Sequence, residues 1–158
     1  MLRGCPALTS LEVCDARGDT VTSQLPMIVQ CSNLRELRLF GFVQSLPELF
    51  QSLSCLPLLR VLWLDDRCGT TITMENASER LRSALGQMQP LTELQLACGQ
   101  TIVQLAPALS QARSLRSLVA KGLDLNSLSR LIDSGAIQSG LADLPLCVFE
   151  AKDAEDDL

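Results

Sequence analysis

Histidine and tyrosine are absent from the 158 residues, and aromatic residues together make up 3%. Without histidine there is no Ser-His-Asp or Cys-His nucleophile system, and the commonest metal ligand is missing. The nine glycines fall singly at turn positions. They form neither G-x-x-x-x-G-K-[ST] nor G-x-G-x-x-G, so no phosphate cradle is expected. The seven cysteines, at 5, 14, 31, 55, 68, 98 and 147, include no C-x-x-C pair. An odd count in a chain of this size and apolarity reads as reduced, mostly buried small hydrophobes. No apolar run approaches the roughly 18 residues of a membrane span, and the opening MLRGCPALTS lacks an apolar signal core. A cytoplasmic or nuclear location, with no membrane partner, is therefore expected. The 13 Lys and Arg residues are scattered along the chain, which speaks against nucleic acid.

What is present describes a foldable body. With 47% apolar residues, 20% charged residues and mean hydropathy of +0.22, the chain has enough apolar side chain for a single core. The formal charge is -5, yet the stretch from Glu150 to Asp157 holds five acids against one lysine. Residues 1–149 are expected to form one nearly neutral domain, and 150–158 a solvated, disordered acidic tail.

Within 1–149 one apolar spacing recurs. Offsets 0, 3 and 5 appear at Leu8/Leu11/Val13, Leu34/Leu37/Leu39, Leu59/Leu62/Leu64, Leu91/Leu94/Leu96, Leu115/Leu118/Ala120 and Leu141/Leu144/Leu146. The last two residues of each triplet are two apart and share one face of a short strand, while the first turns the chain in from the preceding loop. Between triplets the period becomes helical. Leu46, Leu49, Phe50 and Leu53 lie at i, i+3, i+4 and i+7 behind a Ser45/Glu48 capping box. Leu81, Ala84, Leu85 and Met88 repeat the scheme behind Asn76/Glu79. Leu25, Ile28 and Val29 mark a shorter first helix. Ile102, Leu105 and Leu109 mark a fourth that Pro107 starts or interrupts, and Leu128, Leu131 and Ile132 a last one between a capping Asn126 and Gly135. A lone strand-helix unit cannot bury its apolar side, so the units must stack.

The triplets start 26, 25, 32, 24 and 26 residues apart, and at these positions the sequence resembles the leucine-rich repeat superfamily. The resemblance implies an α/β solenoid of about six strand-helix repeats, with a parallel sheet on the concave side and short helices on the convex side. It also implies a non-enzymatic module that binds another protein. The slot that usually carries Asn or Cys holds Ala16, Phe42, Arg67, Gly99, Leu123 and Phe149 instead, so an irregular arc is expected. Degenerate repeats preceded by Cys or Leu ("CPAL", "CSNL", "LPLL"), and the ending "LSRLIDSGAIQSGLADLPLCVFEAKD", are similar to the repeat tails of intracellular, fungal-type F-box proteins. That likeness implies the substrate-reading region of a ubiquitin-ligase receptor. The alternative is a ligand-sensing repeat fragment of an immune-type nucleotide-binding receptor. With no F-box module and no capping element before the first repeat, the chain is expected to be a fragment or a shortened relative, prone to self-association through uncapped ends.

On the solenoid reading, residues alternating with the strand leucines face the concave side in three columns. The first holds Ser10, Glu36, Val61, Glu93, Ser117 and Asp143; the second Glu12, Arg38, Trp63, Gln95, Val119 and Pro145. The third holds Cys14, Phe40, Asp65, Ala97, Lys121 and Cys147. The protein-binding candidates are Glu12, Glu36, Arg38, Phe40 and Val61 on the earlier strands, with Trp63, Asp65, Glu93, Gln95 and Lys121 on the later ones. The only tryptophan sits near the middle with Arg38 and Phe40 beside it, and Trp and Arg are frequent interface anchors. Insertion 65–76 is either a second candidate contact loop or, at Thr70, Thr71, Ile72 and Thr73, a small extra strand covering a repeat edge. Its Asp65-Asp66-Arg67-Cys68 cluster offers too few oxygens for calcium and no base for a Cys68 nucleophile. No cofactor and no enzymatic activity are expected.

Overall fold

The computed structural model describes residues 5, 7–14, 19–41, 46–65, 77–97, 99–133 and 146–151. Six strands alternate with helices: β1 (Ser10–Cys14), α1 (Asp19–Ile28), β2 (Glu36–Phe40), α2 (Leu46–Leu53), β3 (Val61–Asp65) and α3 (Ala77–Gln87). Then follow β4 (Glu93–Leu96), α4 (Gly99–Leu105), β5 (Ser117–Leu123), α5 (Leu125–Asp133) and β6 (Leu146–Ala151). The strands form one parallel sheet in the order of the chain, β1 to β6. The fold class is therefore α/β, with strand and helix in strict alternation. Among the described residues, β1 and β6 each have a single strand neighbour.

The register follows the apolar triplets through the first five strands. Leu11 pairs with Leu37, Leu37 with Leu62, Leu62 with Leu94, and Leu94 with Leu118. Along β2 and β3 burial alternates residue by residue, so Leu37, Leu39, Leu62 and Leu64 point into the core while their neighbours stay half-buried. A one-residue slip would turn every leucine to the opposite side, which is why the pattern fixes the pairing so firmly. The first leucine is also buried in the four middle triplets, with Leu34, Leu59, Leu91 and Leu115 at most 4% exposed, whereas Leu8 of the first is partly buried.

The triplet has a fourth member three residues upstream. Cys31, Leu56, Met88 and Ala112 are all buried at that offset. At three of these positions the carbonyl accepts the amide of the triplet's first leucine: Leu34 to Cys31 at 2.9 Å, Leu91 to Met88 at 3.1 Å and Leu115 to Ala112 at 2.9 Å. Each is a tight turn that satisfies the backbone while it drops one apolar side chain under the strand.

The helices supply the other side of a single buried cluster. Leu46, Leu49, Phe50 and Leu53 of α2, and Leu81, Ala84 and Leu85 of α3, are buried against the inward strand residues. Pro107 both interrupts and starts: α4 ends at Leu105 and the chain tightens into a 3-10 turn, Ala106–Gln111, that keeps Ala108 and Leu109 buried. On α5 the expectation fails in two places. The cap is Asp124, whose carboxylate accepts the Ser127 amide at 2.6 Å, because the helix begins at Leu125, two residues earlier than an Asn126 cap requires. Ile132 faces solvent at 60% exposure, and only Leu131 of the predicted stripe is fully buried. The Ser45 and Asn76 caps, Gly135, Cys68 and insertion residues 66–76 lie outside the described residues.

The sixth strand departs most from expectation. Cys147, not Leu144, pairs with Leu118, and Phe149, not Leu146, pairs with Ala120. Cys147 and Phe149 pack against the core. The segment "LPLCVF" contains a second set of offsets 0, 3 and 5, Leu144/Cys147/Phe149. A shift of three residues is odd, so it exchanges the faces of the strand. Cys147 is accordingly a core-side residue and does not belong to the open-face column assigned to it, and the column residues Asp143 and Pro145 lie outside the described residues.

The cysteines also differ from the mostly buried set expected. Of the five described, Cys31 is buried and Cys147 half-buried, whereas Cys5, Cys14 and Cys55 are exposed. Cys14 takes an outward strand position, and Cys55 lies one residue before the buried Leu56 of a turn.

Candidate functional site

Because alternate strand residues are taken into the core, the remainder form a second surface on the helix-free side of the sheet. Register joins them into rows: Glu36 beside Val61, Val61 beside Glu93, Arg38 beside Trp63, Trp63 beside Gln95, and Phe40 beside Asp65. All ten candidate residues lie on this face, half-buried or exposed.

Two groups form within it. In the first, the Arg38 guanidinium stands 4.3 Å from the centre of the Trp63 ring. Its Nε donates to Glu36 Oε1 at 2.8 Å, and its Nη2 lies 2.7 Å from the same oxygen. Glu12 on the next strand lies 3.9 Å from Nη1. Arg38 is thus held from three sides, its plane against an aromatic ring and its edge on carboxylates, the arrangement an arginine fork favours. The side chains are about one-third to one-half exposed, so each ion pair contributes under about 1 kcal/mol. Their main effect is to fix the orientation of Arg38 and the ring.

The second group is a pocket of about 180 Å³ lined by Phe40, Trp63, Asp65, Gln95, Ala97 and Lys121. Trp63 belongs to both groups and links them. Asp65 and Lys121 bring opposite charges to a depression whose other lining side chains, Gln95 apart, are apolar. Val61 and Glu93 pair with each other but line neither feature, and Glu93 is exposed. Ala97, a member of the third column but not one of the ten candidates, lines the pocket as well; column position marks it, whereas its small side chain does not.

Beyond β4 the face changes character at β5. Ala120 pairs with Phe149 and Leu123 with Ala151, so β5 has one residue more than β6 between these pairs. The extra residue is absorbed at Lys121-Gly122, where Gly122 adopts φ of 67°. This parallel bulge returns Leu123, at 5% exposure, to the core side and leaves Lys121 exposed at the pocket edge.

The Cys147 thiol is pushed above its ordinary range by burial. Among the described residues no group of three His, Cys, Asp or Glu side chains is placed to hold a metal ion, and no helix is long and apolar enough to cross a membrane. Comparison with known proteins finds no matching family model and no matching curated protein.

Proposed function

We propose that the helix-free face of the sheet is a protein-binding surface, and that the chain is a leucine-rich repeat solenoid whose concave side this face forms. The observation that carries the reading is the Arg38–Trp63 stack beside the 180 Å³ pocket. A large apolar ring and a pre-oriented guanidinium, both partly exposed and ringed by polar side chains, have the composition of an interface anchor. The one described thiol on this surface, Cys14, lies 3.8 Å from a Glu12 carboxylate oxygen at the β1 border, away from the Arg38–Trp63 stack and the pocket. The reading is therefore recognition without chemistry. The repeat spacing and its likeness to F-box proteins extend the proposal to the substrate-reading region of a ubiquitin-ligase receptor.

The test is quantitative capture from lysate of the source cells. Trp63→Ala and Arg38→Ala are expected to weaken retention of a captured protein by at least about 30-fold, the scale of an anchor worth about 2 kcal/mol. Retention unaffected by both substitutions removes the proposed surface. The ligase assignment is tested separately, since the full open reading frame should co-purify with cullin-type ligase subunits. An encoded nucleotide-binding module in their place overturns that assignment.

A further inference from the structure

The backbone aligns a row of arginines that the linear sequence disperses. At the entries to β1, β2, β3 and β4 one carbonyl accepts two successive amides from the next strand. Thr9 accepts Arg35 and Glu36, Arg35 accepts Arg60 and Val61, Arg60 accepts Thr92 and Glu93, and Thr92 accepts Arg116 and Ser117, all at 2.8–3.0 Å. Thr9, Arg35, Arg60, Thr92 and Arg116 therefore form one row along the edge where the strands begin, with a spacing of about 4.8 Å. Arg113 in the turn before β5 joins them. Arg60, Arg113 and Arg116 line a groove of about 560 Å³ together with Pro90, Thr92 and Ser114. All four arginines are exposed.

A row of charge is ordinarily a solvated face. Here the chain has 18 acidic residues against 13 basic ones, yet none of the four guanidiniums engages a carboxylate among the described residues, whereas Arg38 and Arg82 do. Four like charges along one edge repel one another, and a polyanion relieves that repulsion. The chain has eleven arginines against two lysines, and the guanidinium fork matches planar carboxylates two bonds at a time.

We infer that this strand-entry edge binds an extended, acidic peptide segment of a partner protein, laid across the strands. From Arg35 to Arg116 the row covers three strand spacings, about 14 Å, the length of roughly four extended residues. Charge spread over that distance fits successive Asp and Glu side chains better than a single phosphate. Among the described residues no aromatic side chain lines the groove, so these residues offer no platform for stacked bases. The inference goes beyond the proposed function, because it concerns a different edge of the sheet and holds whether or not the Trp63 face binds anything.

Fluorescence anisotropy with labelled hexaglutamate on the whole chain tests it. Binding is expected to weaken steeply as salt rises and to survive a large excess of hexaglutamine. Arg60→Glu/Arg116→Glu is expected to lose at least about tenfold in affinity, and Arg60→Lys/Arg116→Lys several-fold, since lysine keeps the charge but not the fork. Arg80→Glu, at an exposed position on α3, and Trp63→Ala are expected to leave affinity within about twofold. Wild-type affinity in either double variant, or displacement of the peptide by inorganic phosphate or oligothymidylate at equal or lower concentration, overturns the proposal.

Discussion

At the scale of single residues, a few positions carry consequences larger than their size. Gly122 holds φ of 67°, and a Cβ there would lie 3.2 Å from the Ala97 carbonyl oxygen. Gly122→Ala combines a left-handed backbone penalty with a tight contact and is expected to destabilise by about 1–2 kcal/mol in urea titrations. Gly86 in α3, with nothing within 4 Å of its added Cβ, is the control: Gly86→Ala should stabilise by a few tenths to about 1 kcal/mol. Cys147 gives a pH prediction. Burial holds its thiol pKa above the unfolded value. The stability this contributes is whole below the unfolded thiol's pKa and is lost as pH rises through the folded one. Stability measured across the alkaline thiol range should therefore decline less in Cys147→Ala than in the wild type, and equal slopes would refute the placement. Sequence alone could not sort the cysteines, because Cys31 and Cys55 stand one position apart relative to the same turn: Cys31 occupies the buried slot that Leu56 fills in the next unit.

At the scale of elements, alternation determined most of the architecture. Five strands and the inward faces of α2 and α3 were legible because leucine at period two or at helical spacing has one burial solution per register. The same rule misplaced β6, since two overlapping triplets compete in "LADLPLCVF" and the one containing Cys and Phe is the one that folds inward. Substitution separates the two. Phe149→Ser is expected to cost about 2 kcal/mol or more, and Val148→Ser, on the opposite face, less than about 1 kcal/mol in chemical denaturation. A reversed order would restore the leucine register. Caps were read less reliably because Asp124 and Asn126 are both good cap residues, and only the first helical amide to need an acceptor decides between them. The candidate surface was legible for the same reason as the strands: whatever does not point in must point out. The cation-π stack and the bulge beside the pocket required coordinates, since neither cross-strand distance nor φ is written in residue type.

At the scale of the whole molecule, the sheet is ordered by sequence, each strand touching only its predecessor and successor. Strands β2, β3 and β4 are flanked on both sides and contain leucines with at most 2% exposure, while β1 is flanked on one side and has a single buried residue. Amide hydrogen exchange is expected to be slowest at Leu37, Leu62 and Leu94 and fastest in β1. Uniform protection from β1 to β5 would contradict this graded order. The basic row was invisible in the sequence for a global reason: Arg35, Arg60 and the Arg113/Arg116 pair, 25 or more residues from one another, come to one edge only when the strands align. The same nearest-neighbour order determines how the molecule would respond to force. Tension applied between β1 and β6 acts across opposite borders of the sheet, so strands should peel away one at a time. A pulling trace should then show a train of small steps, each releasing a segment of about 25 residues, roughly 90 Å of contour, rather than one abrupt rupture.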